Sequence, residues 1–430
     1  MSKEFDLVVF GASGFTGAYV VEEMAKAVEP GRYKWAVAGR SEEKLKHTLE
    51  EVKKRTGKDL SSIPILIADV SAVDSVVEMA KKTRVVLNCV GPFRLYGEAV
   101  VKACVDNGAS HVDVSGEPAY LESMQLKYQE SAKEKSVYVV GSCGWDSVPF
   151  DMGVAFLQKK FAGDLNSVEG LVVPHLSKGY SINFGTFETL IHGFTHRKDL
   201  KPIRDALMPQ KPPKRKFRLP ARGRPIFRDD ISQGEPEGGW CLPFLGSDKS
   251  VAFRSQYYNF QKTGERPIHL GTYFRVSSFL RAVLFLLWSL FFFVMVSFEA
   301  TRRLLKDYPS IFTFGLFSKK GPSRDQVENA SFSYWLHGRG WATKSETVGA
   351  DGHDECPPEQ IIVRVDGPDI GYVSTAIFLV TSALIILDES DKMPDSGGVL
   401  TPASAFQDTS YIERLHKRGV KFSVVENSLE

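Results

Sequence analysis

Residues 5–17 read FDLVVFGASGFTG, a six-residue apolar run, Phe5–Phe10, that passes without a linker into glycines at positions 11, 14 and 17. The run has the length of a buried strand, and Thr16–Ala27 behind it carries apolar residues at helical spacing. Strand, tight turn and helix in immediate succession make a cradle for phosphate. The turn needs a residue without Cβ, the phosphate must approach bare backbone, and the helix N-terminus offers free N–H groups at the positive end of its dipole. Gly11, Ser13, Gly14, Phe15, Thr16 and Gly17 are the expected cradle, with Ser13 and Thr16 adding hydroxyl donors. A strand-to-helix turn favours glycine even with no ligand, so the weight rests on the context, which reads as dinucleotide binding.

The end of the next apolar run, Lys34–Ala38, selects among dinucleotides. A site for an unphosphorylated adenine ribose usually places Asp or Glu there. This chain has Ala38-Gly39-Arg40-Ser41 instead. A guanidinium at that point pairs with a 2′-phosphate and stacks on adenine, and Ser41 adds a donor, so the expected cofactor is NADP. The competing reading is a surface arginine, with Ser41 as a helix N-cap. Asp69, closing the third apolar run, is a candidate for the adenine amino group or, equally, a helix N-cap.

Further out, strand-like runs at Ile63–Ala68, Val85–Cys89, His111–Val114 and Val137–Val140 alternate with helical stretches at Ser41–Arg55, Val73–Lys81, Gly97–Asn107 and Ala119–Lys135. Six strands alternating with helices predict an α/β fold, a Rossmann-type doubly wound parallel sheet. Beyond residue 152 the pattern loosens into a second α+β domain, in which Ser167–Val173 and Ser250–Tyr258 read as strands. Tyr372–Leu387 reads as a buried helix and Thr401–Gly419 as an amphipathic one. The expected division is 1–152, 153–394 and 395–430, the last packing back on the first.

The composition is that of a folded chain: 430 residues, 43% hydrophobic, 25% charged, net +2. It excludes disorder and a global nucleic-acid footprint. The near-neutral total hides a basic segment, 197–228, with twelve basic and two acidic residues and six prolines. Phe217 and Phe227 are its sole aromatics, so no nucleic acid is expected as partner. Five cysteines with no CxxC or Cys/His ligand spacing argue against a disulfide framework and against a metal site. The polar start, Met-Ser-Lys-Glu-Phe-Asp, reads as no signal peptide, and the N-terminal domain is expected in the cytosol.

Several later blocks carry a family resemblance: Asn88-Cys-Val-Gly-Pro-Phe-Arg-Leu-Tyr-Gly97, His111-Val-Asp-Val-Ser-Gly-Glu117, Gly144-Trp-Asp-Ser-Val-Pro-Phe-Asp-Met-Gly153, Gly371–Ala376 and Gly397–Ala403. With the glycine turn and Ala38–Ser41, the chain resembles the saccharopine dehydrogenase-like oxidoreductases, in the branch that also resembles trans-acting enoyl reductases. The resemblance implies a Rossmann domain joined to an α+β substrate domain. It also implies that Cys89, Val90, Gly91 and Pro92, with Ser115–Glu117, line the nicotinamide side. The arginine cluster that a substrate with several carboxylates requires has no counterpart in this sequence. For a proton donor the candidates are Tyr96, four residues past Pro92, and Asp146, in the turn after the sixth strand; Glu117 also stands at a strand end. Tyr96 packed on a helix and Asp146 as a helix cap are the structural alternatives.

Ala282–Phe298 is seventeen residues without formal charge, AVLFLLWSLFFFVMVSF, preceded by Arg275 and Arg281 and followed by Glu299, Arg302, Arg303 and Lys306. As a helix it is about 25 Å long, short of the roughly twenty residues of a span. A span would also strand residues 299–430 across the membrane from the Rossmann domain. A one-leaflet anchor on the cytosolic face of a lipid droplet or the endoplasmic reticulum, assisted by the basic segment, is expected, with a buried core helix as the alternative. The expected function is NADP(H)-dependent hydride transfer on an apolar or lipid substrate. The alternatives are a non-catalytic lipid-surface scaffold or nucleotide sensor, and an authentic saccharopine enzyme. A homodimer is compatible with each.

Overall fold

The computed structural model describes residues 3–213, 215–218, 226–228, 239–344 and 352–429. The first half alternates β1 (Phe5–Phe10), α1 (Phe15–Ala27), β2 (Trp35–Gly39), α2 (Glu42–Thr56), β3 (Ile65–Ile67), α3 (Val73–Lys82), β4 (Thr83–Asn88), α4 (Phe93–Asp106), β5 (Ser110–Asp113), α5 (Pro118–Glu134), β6 (Tyr138–Val140) and α6 (Val148–Lys160). All six strands are parallel, in the order β3-β2-β1-β4-β5-β6. Val9 sits in register with Val37 on one side and Leu87 on the other. Strand order reverses between β1 and β4, so the crevice for a ligand opens above the turns that follow those two strands. This is the Rossmann-type sheet expected from the glycine turn.

The chain then runs through β7 (Asp164–Leu176), β8 (Ile182–Asn183), α7 (Phe184–Thr195), α8 (Leu200–Leu207), β9 (Phe227–Arg228), β10 (Trp240–Pro243), α9 (Asp248–Thr263) and β11 (His269–Val276). Next come α10 (Phe279–Ser297), α11 (Glu299–Asp307), α12 (Pro309–Phe312), β12 (Phe317–Ser318), α13 (Arg324–Glu328), β13 (Ala330–Trp341) and β14 (Glu359–Pro368). Last are α14 (Val373–Asp388), β15 (Gly398–Leu400), α15 (Pro402–Phe406), α16 (Tyr411–Lys417) and β16 (Lys421–Asn427). A second sheet has the order β16-β14-β13-β7-β11-β10-β9, with β11 parallel to β7 and the remaining pairs antiparallel. Helix α6 lies on it: Phe150 stacks on Tyr334 at 5.7 Å, and a Cβ on Gly170 would stand 2.6 Å from the Phe150 ring. The second domain is therefore α+β.

Three expectations need correction. Ser250–Tyr258 is not a strand; it lies inside α9, which starts on Asp248 and stops at Gly264 in the left-handed region (φ 75°). Its buried Val251, Ala252 and Ser255 follow helical spacing, and no Gly or Pro interrupts it. The single helix expected at Thr401–Gly419 is two short ones, α15 and α16, separated by a turn. The chain also crosses the boundaries drawn at 152 and 394. Helix α14 is buried against the Rossmann domain although it precedes 394, β15 joins the parallel sheet beside β6, and β16 belongs to the second sheet. Each apolar surface is covered by whichever segment reaches it, not by the nearest in sequence.

The basic segment 197–228 forms a short 3-10 turn and α8 at its start. Several of its cations are used internally. Arg204 Nε donates to both Glu122 oxygens at 3.1 and 3.2 Å, and Arg215 reaches Asp164 at 3.2 Å and two backbone carbonyls. Lys214, residues 219–225 and the Arg228 side chain lie outside the described residues.

Candidate cofactor site and active site

The glycine turn is built as its chemistry demands. Gly11 has φ 83°, and a Cβ there would lie 2.8 Å from Val90 Cγ2. A Cβ on Gly17 would lie 2.1 Å from the Gly11 carbonyl oxygen, so only glycine lets α1 start this close to the turn. Gly14 is the N-cap of α1, and no side chain caps that end. Among the described residues no side chain takes the first N–H groups of the helix, which leaves them for a pyrophosphate. The Phe15 ring turns away to Tyr372 at 4.7 Å and Tyr19 at 5.8 Å, leaving its backbone as its contribution.

At the end of β2, Arg40 is exposed and makes no ion pair among the described residues. Its positive charge helps hold the Asp69 carboxyl below its ordinary value, after hydrogen bonds from Ser71. Asp69 accepts from the Ser71 N–H at 2.9 Å and so shapes the turn before α3. Ser41 caps α2, accepting from Lys44 N–H at 3.3 Å. Ser13 Oγ sits 3.7 Å from where a Gly39 Cβ would be, bringing the turns after β1 and β2 together around the adenine end.

The loop after β4 is held from the β5 side. Asn88 Oδ1 accepts from Val90 N–H at 3.0 Å, fixing Cys89–Pro92 over the crevice. Glu117 accepts from Phe93 N–H at 2.8 Å and Arg94 N–H at 3.1 Å, so it serves as the N-terminal anion of α4. Burial pushes its carboxyl up, offset by those two backbone donors. Glu117 is thus a positioning group and not an acid open to substrate. Ser115 is fully buried, and its hydroxyl accepts from Glu117 N–H at 3.2 Å. Tyr96, in the second turn position of α4, is 39% exposed. Burial raises the Cys89 thiol to about 12 and the Cys143 thiol further, the opposite of the shift that activates a thiol.

Asp146 follows β6. Its Oδ2 would stand 2.3 Å from a Cβ on Gly116, so the carboxyl nests against the bare backbone of the β5 loop. Ser247 Oγ donates to it at 3.2 Å and contacts Ser147 Oγ at 2.8 Å. Burial raises the Asp146 pKa to about 6 against the pull of Ser247. Such a carboxyl carries or gives up a proton near neutrality.

Sequence reasoning passed over three groups here. Asp113 at the end of β5 accepts from Ser115 N–H, Ser142 N–H and Tyr120 OH, all within 3.1 Å. Asp248 is wholly buried, its Oδ2 bonded to Tyr334 OH at 3.1 Å and its Oδ1 without a partner among the described residues. Ser247 comes to Asp146 from 101 residues away. Only the Asp113 position, at a strand end, had a local signal. The Tyr258 and Lys262 pair, one helical turn apart on α9, clamps Asp395 and takes no part in the crevice.

Comparison with known proteins agrees with this geometry. The model of the saccharopine dehydrogenase NADP binding domain matches residues 7–140. A lipid droplet localized protein of Caenorhabditis elegans is 44% identical over 98% of both chains. A saccharopine dehydrogenase-like oxidoreductase of Homo sapiens is 42% identical over 99% of this chain and 98% of its own. Among solved structures, apo saccharopine dehydrogenase (L-Glu forming) of Saccharomyces cerevisiae superposes with a TM-score of 0.52 at 14% identity, over 98% of this chain and all of that one, a likeness of fold. The chain belongs to the saccharopine dehydrogenase-like oxidoreductases and is an NADP-dependent member of them.

Proposed function

We propose that the protein is an NADP(H)-dependent oxidoreductase that works on the cytosolic surface of a lipid droplet or the endoplasmic reticulum and acts on an apolar or lipid substrate. The observation that carries this reading is α10. Leu280, Leu284, Leu287, Phe291, Val294 and Phe298 follow one another at four- and three-residue steps and are all exposed, a single outward stripe. The opposite face, with Phe292, Met295 and Val296, packs on Phe187 and Ile191 of α7. A helix held to the protein along one side and apolar along the other suits one leaflet better than a span. The lipid droplet localized relative from C. elegans points the same way.

The bound cofactor supplies or accepts hydride. The chain's own residues orient it and handle the proton. Arg40 receives a 2′-phosphate, the α1 N–H groups receive pyrophosphate, and Asp146, connected to Ser247 and Ser147, is the candidate proton donor; Tyr96 is the other. Flotation of the full chain with phospholipid vesicles tests the reading. The wild type should float, and Leu284→Gln/Leu287→Gln/Phe291→Gln should remain in the dense fraction while binding NADPH normally. Equal flotation of the two would refute it.

A further inference from the structure

The exposed apolar surface does not end with α10. After α11, the chain turns through α12 into residues 311–316, where Ile311 is 69% exposed, Phe314 88% and Leu316 also exposed. This tip is tightly tied. Gly315 N–H donates to Ser310 O at 2.8 Å, Leu316 N–H to Thr313 O at 3.0 Å, and the Thr313 hydroxyl to Pro309 O at 2.7 Å. Phe314 stands in the left-handed region at φ 51°, where a bulky side chain is strained. The ring is left 88% exposed among the described residues, and the tied backbone holds it outward.

The tip lies beside the α10 stripe. Trp288 Nε1 donates to the Phe312 carbonyl at 2.8 Å. At about 100° per residue, Trp288 falls on the flank between the buried side of α10, centred on Phe292, and the outward stripe. Charge around this region is mostly positive: residues 275–320 hold seven Lys or Arg and two Asp or Glu, with Arg303 paired to Glu299 and Lys306 to Glu188. Lys319 and Lys320, five and six residues past Phe314, are exposed and unpaired among the described residues. Aromatic and aliphatic side chains at a tip with lysines behind match an anionic phospholipid surface, rings among the acyl chains and ammonium groups at the phosphates.

We propose that residues 311–316 are a second lipid-inserting element, which with the α10 stripe beds the protein flat on one phospholipid leaflet. This rests on the lipid-surface reading above. Beyond the tip, β12 pairs with β8, and a Cβ on the following Gly321 would touch the Phe15 ring at 2.8 Å. The tip therefore sits at a fixed position relative to the phosphate cradle, and the crevice is held at a set distance from the lipid.

The test uses the full chain and vesicles of phosphatidylcholine with phosphatidylserine. Phe314→Asn/Ile311→Asn removes the apolar tip, and Asn tolerates the left-handed region, so the turn is retained. Vesicle affinity should fall at least about tenfold while NADPH binding stays unchanged. A solvatochromic dye on Phe314→Cys, in a Cys356→Ser background, should shift to the blue on adding vesicles. Wild-type affinity of the tip variant, with the α10 stripe variant released, would overturn the tip's role and leave the lipid-surface reading standing. Wild-type affinity of the stripe variant would overturn that reading itself. An unshifted dye, or a tip variant that turns a dimer into a monomer without changing vesicle binding, would assign the tip elsewhere and overturn the proposal.

Discussion

In the proposed function Arg40, Gly17 and Asp146 are assigned separate tasks: cofactor choice, room for the cofactor, and the proton. Arg40 should discriminate by the 2′-phosphate alone. Arg40→Ala is expected to weaken NADPH roughly 10- to 100-fold and leave NADH almost unchanged, measured by fluorescence titration of both. Gly17 is needed for space, since a Cβ would be driven into the Gly11 carbonyl at 2.1 Å. Gly17→Ala should abolish binding of both nucleotides. For Asp146 the expected signature is in pH. Its carboxyl titrates at about 6, so a reduction that needs its proton slows as pH rises through that value. Asp146→Asn should be slow throughout and lack that limb; an unchanged profile would remove Asp146 from the chemistry. The glycine turn and the position of Arg40 were legible because each stands directly after its own strand. Ser247 and Asp248 were not, because they reach Asp146 from about a hundred residues on.

Helix α4 shows how an element depends on a distant one. Its first N–H groups are satisfied by Glu117 from the β5 loop, and the same helix carries Tyr96 and follows the Cys89–Pro92 loop. Glu117→Ala leaves two donors without an acceptor at a buried helix start. It should cost about 2–4 kcal/mol in chemical denaturation and raise the KM for NADPH more than it lowers kcat. Equal stability of the variant would show that the carboxylate is dispensable. In sequence Glu117 reads as a strand-end acid open to chemistry, since nothing local announces that it caps a helix beginning 24 residues earlier. Helix α9 depends on its ends for a related reason: the short apolar piece within Ser250–Tyr258 is compatible with a strand until Asp248 in its first turn and Gly264 at its C-terminus bound it as a helix. Helix α10 was legible from composition, but which of its sides meets the protein is decided by α7.

The assembled protein joins a parallel sheet, a mixed sheet and an apolar ledge, and it buries carboxyls where they meet. Asp113, Asp146 and Asp151 are each raised to about 6 by burial. With folded values above unfolded ones, their contribution is complete below about pH 4 and is lost as pH rises through 6. Asp151→Asn should therefore flatten the fall of Tm between pH 4.5 and 6.5, and an unaltered slope would contradict that linkage. Asp151 also holds the C-terminal return, accepting from Ala403 N–H at 2.8 Å. The Rossmann half was readable because its elements follow one another locally. The interleaved C-terminal segments depend on which surfaces remain uncovered after the sheets have formed. The proposed function puts cofactor chemistry on material delivered from a lipid surface. The direct measurement follows NADPH absorbance when the full chain is mixed with a total lipid extract dispersed in vesicles. The proposed function predicts NADPH consumption, none with NADH, and a slower rate for the α10 stripe variant. NADPH that binds but is never consumed across the fractionated extract would contradict it.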